Sequence, residues 1–327
     1  MEEDNTDAAP EAKPFYSGLF SAIVPCRDEE ESIPVFYGEF ISQMAKMGNP
    51  QFEIIFVEDG SKDRTLEVLK ELSESDNRVR FISFSRNFGK EAAMYAGMKE
   101  ARGDYIAVMD CDLQDPPSLL PDMFKALDSE GYDCAAARRI TRDGEPPVRS
   151  FAVKCFYRIL NSLSPLKFAE GARDFRLMRR RTLETILSMP EYNRFTKGMY
   201  EWIGGKTKWI EYPNAGRRAG RTKWSIWGLA IYSLDALTSF STVPLALAAV
   251  LGIAFCALSA VAIVFLSIRQ MIFHNSAYGW TSMVCILFFL SGLQLFCLGV
   301  LGHYMSKIYL ESKRRPHYVV SERSKER

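Results

Sequence analysis

The stretch Tyr105-Ile106-Ala107-Val108-Met109-Asp110-Cys111-Asp112-Leu113-Gln114-Asp115-Pro116-Pro117 decides how the chain is read. Its first five residues form a short unbroken apolar run, the pattern of a strand buried on both faces. The aspartates come only where that run ends, and the two prolines stop it from resuming. The same design occurs twice upstream. Phe20–Val24 runs into Pro25-Cys26-Arg27-Asp28-Glu29-Glu30-Glu31, and Phe52–Val57 runs into Glu58-Asp59-Gly60-Ser61-Lys62-Asp63. Val79–Phe84 and Asp133–Ala137 read as further strands. Ile33–Met44, Arg64–Leu72, Glu91–Ala101 and Leu119–Leu127 read as the helices between them, with Asp63 placed to cap the second. Strand and helix in alternation predict an α/β fold, a mostly parallel sheet with helices on both faces. Ligands of such sheets bind at the carboxyl ends of the strands.

Three carboxylate clusters at one edge of one sheet repel each other and raise each other's pKa. A divalent cation, or the hydrogen-bond donors of a base and ribose, would relieve this. Asp110 and Asp112, followed by the amide of Gln114, offer hard oxygen ligands. That chemistry suits Mg²⁺ or Mn²⁺ holding a diphosphate. The alternative for such a triplet is a turn with a helix cap. No GxGxxG follows the first strand and no GxxxxGK[ST] occurs, so a dinucleotide enzyme or Walker-type loop is not expected. The three histidines, His274, His303 and His317, all lie late in the chain, which excludes a histidine triad in the α/β part.

The chain has 327 residues and a formal net charge of +1, but the charge is not evenly mixed. Residues 1–137 hold 13 basic and 28 acidic side chains, residues 138–227 hold 20 and 8, and residues 228–327 hold 8 and 4. An acidic, a basic and a sparsely charged block mark separate tasks. No Asp, Glu, Lys or Arg occurs in residues 236–268 or 270–306. Within these runs, Val243–Ile268 and Trp280–Leu301 are long and apolar enough to cross a bilayer, the alternative being a pair of buried core helices. Arg217, Arg218, Arg221 and Lys223 precede the first span, and Lys307, Lys313, Arg314 and Arg315 follow the second. The connecting loop holds only Arg269 and His274, with Tyr278 and Trp280 as interfacial anchors. Positive charge stays inside, so both ends are expected on the cytoplasmic face of a multi-pass inner-membrane protein. The seven cysteines form no CxxC pair, and neither a disulfide framework nor a zinc site is expected.

The basic block is less legible. Phe151–Leu163 and Thr182–Met189 look helical, and Phe175–Met178 and Lys208–Tyr212 look like strands. Ser225–Ser241 carries apolar residues at helical spacing behind Trp224 and Trp227. It reads as an amphipathic helix lying on the membrane, or as an ordinary packing helix. The organisation expected is a disordered acidic tail over 1–17 without a signal peptide, a catalytic domain over 18–224, an interface helix over 225–241, two membrane helices within 242–306 and a basic tail over 307–327.

At this point the motifs resemble a family. Val24-Pro25 with Asp28-Glu29, Val57-Glu58-Asp59-Gly60-Ser61-Lys62-Asp63, Arg86-Asn87-Phe88-Gly89-Lys90 and Asp110–Pro117 are similar to the family 2 glycosyltransferases of GT-A fold. Arg173-Asp174-Phe175-Arg176-Leu177 and Arg217–Trp224 resemble the acceptor-side motifs of the polyprenyl-phosphate branch, the bactoprenol glucosyltransferases and dolichyl-phosphate mannose synthases. Two C-terminal spans before Lys313–Tyr318 resemble the bacterial members. The family more often has Asn-Glu where Asp28-Glu29 stands, and Asp-Asp-Gly-Ser where Glu58-Asp59-Gly60-Ser61 stands.

The resemblance implies a nucleotide pocket lined by Pro25, Arg27, Glu29 and Asp59, with Asp59 on the base. It puts Asp110 near ribose and metal, Asp112 and Gln114 on the metal, and Asp174 beside the acceptor as base or orienter. Lys90 joins the substrate-binding set, and Arg217 and Lys223 hold phosphate. The expected reaction moves one sugar, glucose from UDP-glucose for the bacterial branch, to undecaprenyl phosphate with inversion. The expected partners are a nucleotide sugar, a polyprenyl phosphate, the lipid bilayer and further copies of the chain as a homo-oligomer such as a tetramer, with no nucleic acid. The alternatives are a relative acting on a carbohydrate or polysaccharide acceptor, and a catalytically silent nucleotide-sugar-binding scaffold. The chemistry is self-consistent: a lipid phosphate is already an anionic nucleophile and asks little of a general base. The reaction needs stabilisation of the departing diphosphate, and cations that bring a second phosphate beside it.

Overall fold

A computed structural model describes residues 16–140, 166–213, 238–273 and 279–325, with positions 158, 161, 162 and 164 between them. The expected interface helix, apart from 238–241, lies outside these residues, as do the Phe151–Leu163 helix apart from 158, 161 and 162, the tail over 1–15, Arg217 and Lys223.

The acidic block folds as its pattern requires. Strands β1 (Phe20–Cys26), β2 (Phe52–Glu58), β3 (Val79–Phe84) and β4 (Tyr105–Val108) alternate with helices α1 (Ser32–Lys46), α2 (Thr65–Ser75) and α3 (Lys90–Glu100). A single 3-10 turn at Pro117–Leu119 leads into α4 (Leu120–Asp128), then β5 (Cys134–Arg139). β6 (Ala172–Arg179), α5 (Arg180–Leu187), α6 (Thr196–Ile203) and β7 (Thr207–Tyr212) complete the basic block. Among the described residues the sheet has eight strands in the order β7-β5-β6-β4-β1-β2-β3-β8, where β8 is Val320–Arg323. β3, β2, β1 and β4 are parallel, β6 is antiparallel to β4 and β5, and β8 is antiparallel to β3.

The near-continuous apolar strands are explained by burial on both faces. Ala22, Val24, Ile54 and Phe56 pack with Phe36 and Phe40 of α1 and Phe124 of α4 on one side. Their neighbours Ile23, Ile55 and Val57 pack with Ala93 and Ala96 of α3 and Leu183 and Ile186 of α5 on the other. Each such fully buried large side chain contributes about 1.5–3 kcal/mol. Gly97 lets α3 come down onto the sheet, because a Cβ there would strike Ile23 Cγ2. Pro25 is tolerated within β1 because it lies past the β1–β4 ladder, which ends at Ile23 with Val108. Strand order reverses between β1 and β4, since β1 leads toward β2 along the sheet and β4 toward β5 in the other direction, and that is where open α/β sheets place ligands.

Two elements depart from the sequence reading. α6 had no clear periodic signal. Residues 320–323, expected in a basic tail, form β8 on the outer edge of β3. Tyr318 stacks on Phe84 at 4.8 Å between ring centroids, and Lys70 pairs with Glu322 at 2.8 Å. Pairing satisfies the backbone edge that β3 would otherwise expose.

The described residues form two compact units, one built on the sheet and including β8, the other holding α7 (Val243–Phe273) and α8 (Trp280–Ser312). Both helices are long and apolar enough to cross a membrane, and neither apolar stretch is buried in the protein. Val250, Ile253, Val261, Phe288 and Leu295 are all exposed, which excludes the buried-core alternative. Within this unit Phe255 packs on Phe289 at 5.6 Å, and Tyr304 donates to the Ser241 carbonyl at 2.6 Å. A helix pair with this apolar exterior suits a lipid surrounding, and the chain associates with the membrane.

Candidate active site

The carboxyl ends of β1, β2 and β4 carry the three acidic turns to one edge. Within the first two clusters, backbone and hydroxyl donors already take up several of the carboxylates. Asp28, left-handed at φ +50°, accepts the Lys62 N–H at 2.7 Å, and its own N–H donates to Ser61 Oγ at 3.0 Å. Glu30 accepts the Arg64 N–H at 2.9 Å. Asp63 accepts the Thr65 N–H at 3.1 Å and the Glu30 N–H at 3.3 Å. It therefore holds the first N–H of α2 from the position before the N-cap Arg64, and although burial raises its pKa the donors converging on its carboxylate outweigh that and lower it. Buried Glu58 accepts the Ser83 hydroxyl at 2.7 Å and the Ser61 N–H. The first two loops are thus stitched together by backbone donors.

The expected nucleotide residues sit at this edge. Glu29 donates its N–H to Thr65 Oγ1 at 2.9 Å and accepts the Ser32 hydroxyl at 2.7 Å. Arg27 lies 3.7 Å from Asp28. Asp59 is buried and accepts the N–H groups of Phe88 and Gly89 at 2.6 and 2.9 Å. Burial raises its pKa, against the pull of those two bonds. Its carboxylate fixes the turn that opens α3, a favourable place for negative charge. Gly60 allows that turn to come close: its φ is +64°, and a Cβ would lie 2.5 Å from backbone atoms of Arg86 and Asn87.

The third cluster is met by side chains. Lys90, the first residue of α3, reaches Asp110 at 2.6 Å to Oδ1 and 2.9 Å to Oδ2. The same ammonium reaches Asp174 Oδ2 at 2.6 Å. Lys197, on α6, reaches Asp174 Oδ1 at 3.4 Å. Burial disfavours both charged forms here, yet the opposite charges outweigh it. They hold the Asp174 carboxyl far below the ordinary carboxylate range and the Lys90 ammonium above the ordinary lysine range.

Beyond the triplet, Leu113 is buried in a left-handed conformation, φ +55°, a strain of about 1–3 kcal/mol for a bulky residue. It turns the chain so that the Gln114 N–H donates to Asp112 Oδ1 at 3.1 Å. The Gln114 side-chain oxygen, expected on a metal, accepts from Arg173 Nη2 at 3.1 Å. Arg173 Nε also grips Asp115 at 2.9 Å, and Tyr212 donates to the same carboxylate. Burial raises the Asp115 pKa despite Arg173. Among the described residues no three metal-ligating side chains converge on one point. The donor set still fits a divalent ion: two carboxylates one residue apart, Asp110 and Asp112, are what Mg²⁺ takes when phosphates supply its remaining oxygens.

The sequence missed Lys197, Glu91 and Asp115. Glu91 is the clearest example. Its carboxylate accepts the N–H of Thr196, the first residue of α6, at 3.1 Å, and the Thr196 hydroxyl as well. Burial raises its pKa against these bonds. A lone acidic residue on a helix and a Thr-Lys pair far along the chain carry no pattern that links them. Arg217 and Lys223 fall outside the described residues.

Residues 21–187 match the family described as Glycosyl transferase family 2. The chain is 38% identical over 300 residues to the prophage bactoprenol glucosyl transferase homolog of Escherichia coli (strain K12), spanning 92% of this chain and 97% of that protein. It is 39% identical over 300 residues to the bactoprenol glucosyl transferase of Shigella phage SfV, again 92% and 97%. The bactoprenol glucosyl transferase of Shigella phage SfX is 38% identical over 303 residues, 93% of this chain and 99% of that protein. With the motif match over half its length and relatives aligned across nearly all of it, the chain belongs to glycosyl transferase family 2.

Proposed function

We propose that the chain transfers a single sugar, glucose from UDP-glucose, to undecaprenyl phosphate, inverting the anomeric centre, with its catalytic unit and both termini on the cytoplasmic side. The observation that carries this reading is the junction of Lys90 with Asp110 and Asp174. It sets an acidic turn suited to a nucleoside diphosphate next to a carboxylate gripped by a second lysine, Lys197. The relatives named bactoprenol glucosyl transferases support the lipid acceptor and the sugar. The two apolar helices, with Lys313, Arg314 and Arg315 just after them, support the setting and the orientation.

In this reading Pro25, Arg27, Glu29 and Asp59 border the nucleotide, Asp59 by holding the turn at Phe88 and Gly89. An anionic oxygen of the lipid phosphate attacks the anomeric carbon. The bond to the diphosphate breaks, and its electron pair leaves with the nucleoside diphosphate. Asp112 with Asp110 would hold a divalent ion, which when bound supplies Lewis-acid stabilisation to that leaving group. Asp174 acts as an orienter: a carboxyl held this firmly in its ionised form is a poor proton acceptor, and the nucleophile needs none. Lys90 sets a cation where two phosphates must approach each other, and the resemblance assigns the same task to Arg217 and Lys223.

The test is purified full-length protein with Mg²⁺ or Mn²⁺, undecaprenyl phosphate and a panel of labelled nucleotide sugars. UDP-glucose should yield a lipid-linked monosaccharide, and Asp112→Asn should abolish it. A polymeric product, or binding without turnover across the whole panel, would overturn the reading.

A further inference from the structure

One contact at this edge asks for more explanation than charge balance. The Lys90 ammonium lies within 2.6 and 2.9 Å of both Asp110 oxygens and 2.6 Å from Asp174. The ammonium donates to Asp110 Oδ2 and to Asp174 Oδ2, and Asp110 Oδ1 lies in close ion-pair contact with it, so both oxygens of Asp110 face the same positive charge. It therefore covers the face of Asp110 that would meet a metal. A hard divalent cation needs such oxygens at about 2.0–2.1 Å and cannot share them in direct contact with a positive charge. Lys90 is also the side chain best able to leave. Its four-carbon stem is flexible, and it springs from the first residue of α3, just after Gly89. Asp174 offers it a second anchor on a different strand, β6.

We propose that Lys90 is the resident counter-ion of the site: its ammonium keeps Asp110 until a divalent cation, arriving with the nucleoside diphosphate, displaces it onto Asp174. This rests on the assignment of Asp110 and Asp112 to a divalent ion made above. Without nucleotide, the cation must expel an ammonium and gains only the carboxylates. With nucleotide, the phosphate oxygens complete its shell and make the exchange favourable. The released ammonium, still paired with Asp174, then has N–H groups to give to phosphate oxygens. The site thereby loads metal and nucleotide together, and the lysine that blocks the metal becomes one that grips the phosphates.

The test measures Mn²⁺ binding to full-length protein by electron paramagnetic resonance, with Mn²⁺ alone and with Mn²⁺ plus UDP. Wild type should bind Mn²⁺ weakly alone and much more tightly with UDP. Lys90→Met and Lys90→Gln should each gain on the order of tenfold in affinity for Mn²⁺ alone, as expected on removing one close positive charge. Lys90→Arg, which keeps the charge, should behave as wild type. Lys197→Met should not show the gain, because Lys197 contacts Asp174 and not the Asp110 carboxylate. Unchanged or weaker Mn²⁺ binding in both neutral Lys90 variants overturns the proposal, as does an equal gain in Lys197→Met, which would reflect only the general field. Asp112→Asn tests the underlying assignment separately: if it leaves Mn²⁺ binding with UDP intact, the metal site itself is elsewhere. Circular dichroism and a thermal melt confirm that each variant is folded, and the two neutral substitutions guard against the loss of either one.

Discussion

Asp110 and Asp174 lie two residues beyond the last β4–β6 pair, Val108 with Arg176, and the ammonium of Lys90 spans them at 2.6 Å to each. β6 runs antiparallel to β4, so its first residues meet the last residues of β4. The donor-side motif and the acceptor-side motif are therefore neighbours, although 64 positions separate them in the chain. The arrangement makes Asp174 depend on lysines from two helices, α3 and α6.

Lys197→Met should reduce turnover by about one to two orders of magnitude while leaving the donor KM nearly unchanged. Loss of one of its two lysines lets the Asp174 carboxylate shift, and misplacement by about 1 Å can cost about 10²-fold. Steady-state kinetics with the lipid acceptor check this, and Lys197→Arg should recover part of the rate. A change confined to the unfolding temperature would assign Lys197 a merely structural role.

Glu91→Ala should destabilise the catalytic unit by about 1–3 kcal/mol, because it leaves a buried N–H and hydroxyl of Thr196 unsatisfied. Glu91→Gln keeps an acceptor and should cost less. Chemical denaturation of the two variants side by side distinguishes them. Equal stability of Glu91→Ala and wild type would show that α6 does not rely on this cap.

Asp76 provides a pH-dependent contribution away from the site. Arg78 Nε and Nη2 bind its two carboxylate oxygens at 3.0 and 2.8 Å, and Tyr37 donates at 2.6 Å. The Arg78 bonds come first in holding its pKa down to about 2, against 3.8 without them. A depressed folded-state pKa means the contribution is fully present above the unfolded value and is lost as pH falls through the folded one. Asp76→Asn should therefore lower thermal stability at pH 6, and the difference from wild type should shrink between pH 4 and pH 2. A difference that is constant over that range would refute the ionic origin.

Gly60→Ala should destabilise by at least about 1–3 kcal/mol and weaken UDP binding. The residue sits at φ +64°, and its new methyl group would meet the backbone of Arg86 and Asn87. That backbone leads into the turn that Asp59 holds, so the strain reaches the nucleotide side of the edge. Calorimetric titration with UDP, compared with a thermal melt, checks both parts.

Much of this was legible in the linear chain. Mostly apolar runs marked β1, β2 and β4 because strands buried on both faces leave little room for polar alternation, Ser21 and Glu53 being the buried exceptions. The aspartates after them marked the ligand edge. α6 and β8 were not legible, since α6 is held by long-range partners such as Glu91, and β8 is a short, mostly polar edge strand defined by the strand it joins. The partners of the acidic clusters were not legible either. Sequence displays carboxylates but not the direction of backbone N–H groups, and those groups hydrogen-bond Asp28, Glu30 and Asp63 in the first two loops.

By itself the sequence determined the alternating architecture, the two apolar helices and the acidic residues at the strand ends, because each is written in local pattern and hydrophobic period. Only the tertiary structure decided which charges meet. The antiparallel return of β6 delivers Asp174 to Asp110, α3 supplies Lys90 to both, and α6 adds Lys197. Coulomb interactions depend on distance in space, and distances between residues far apart in the chain are set by strand order and direction rather than by the neighbours of either residue.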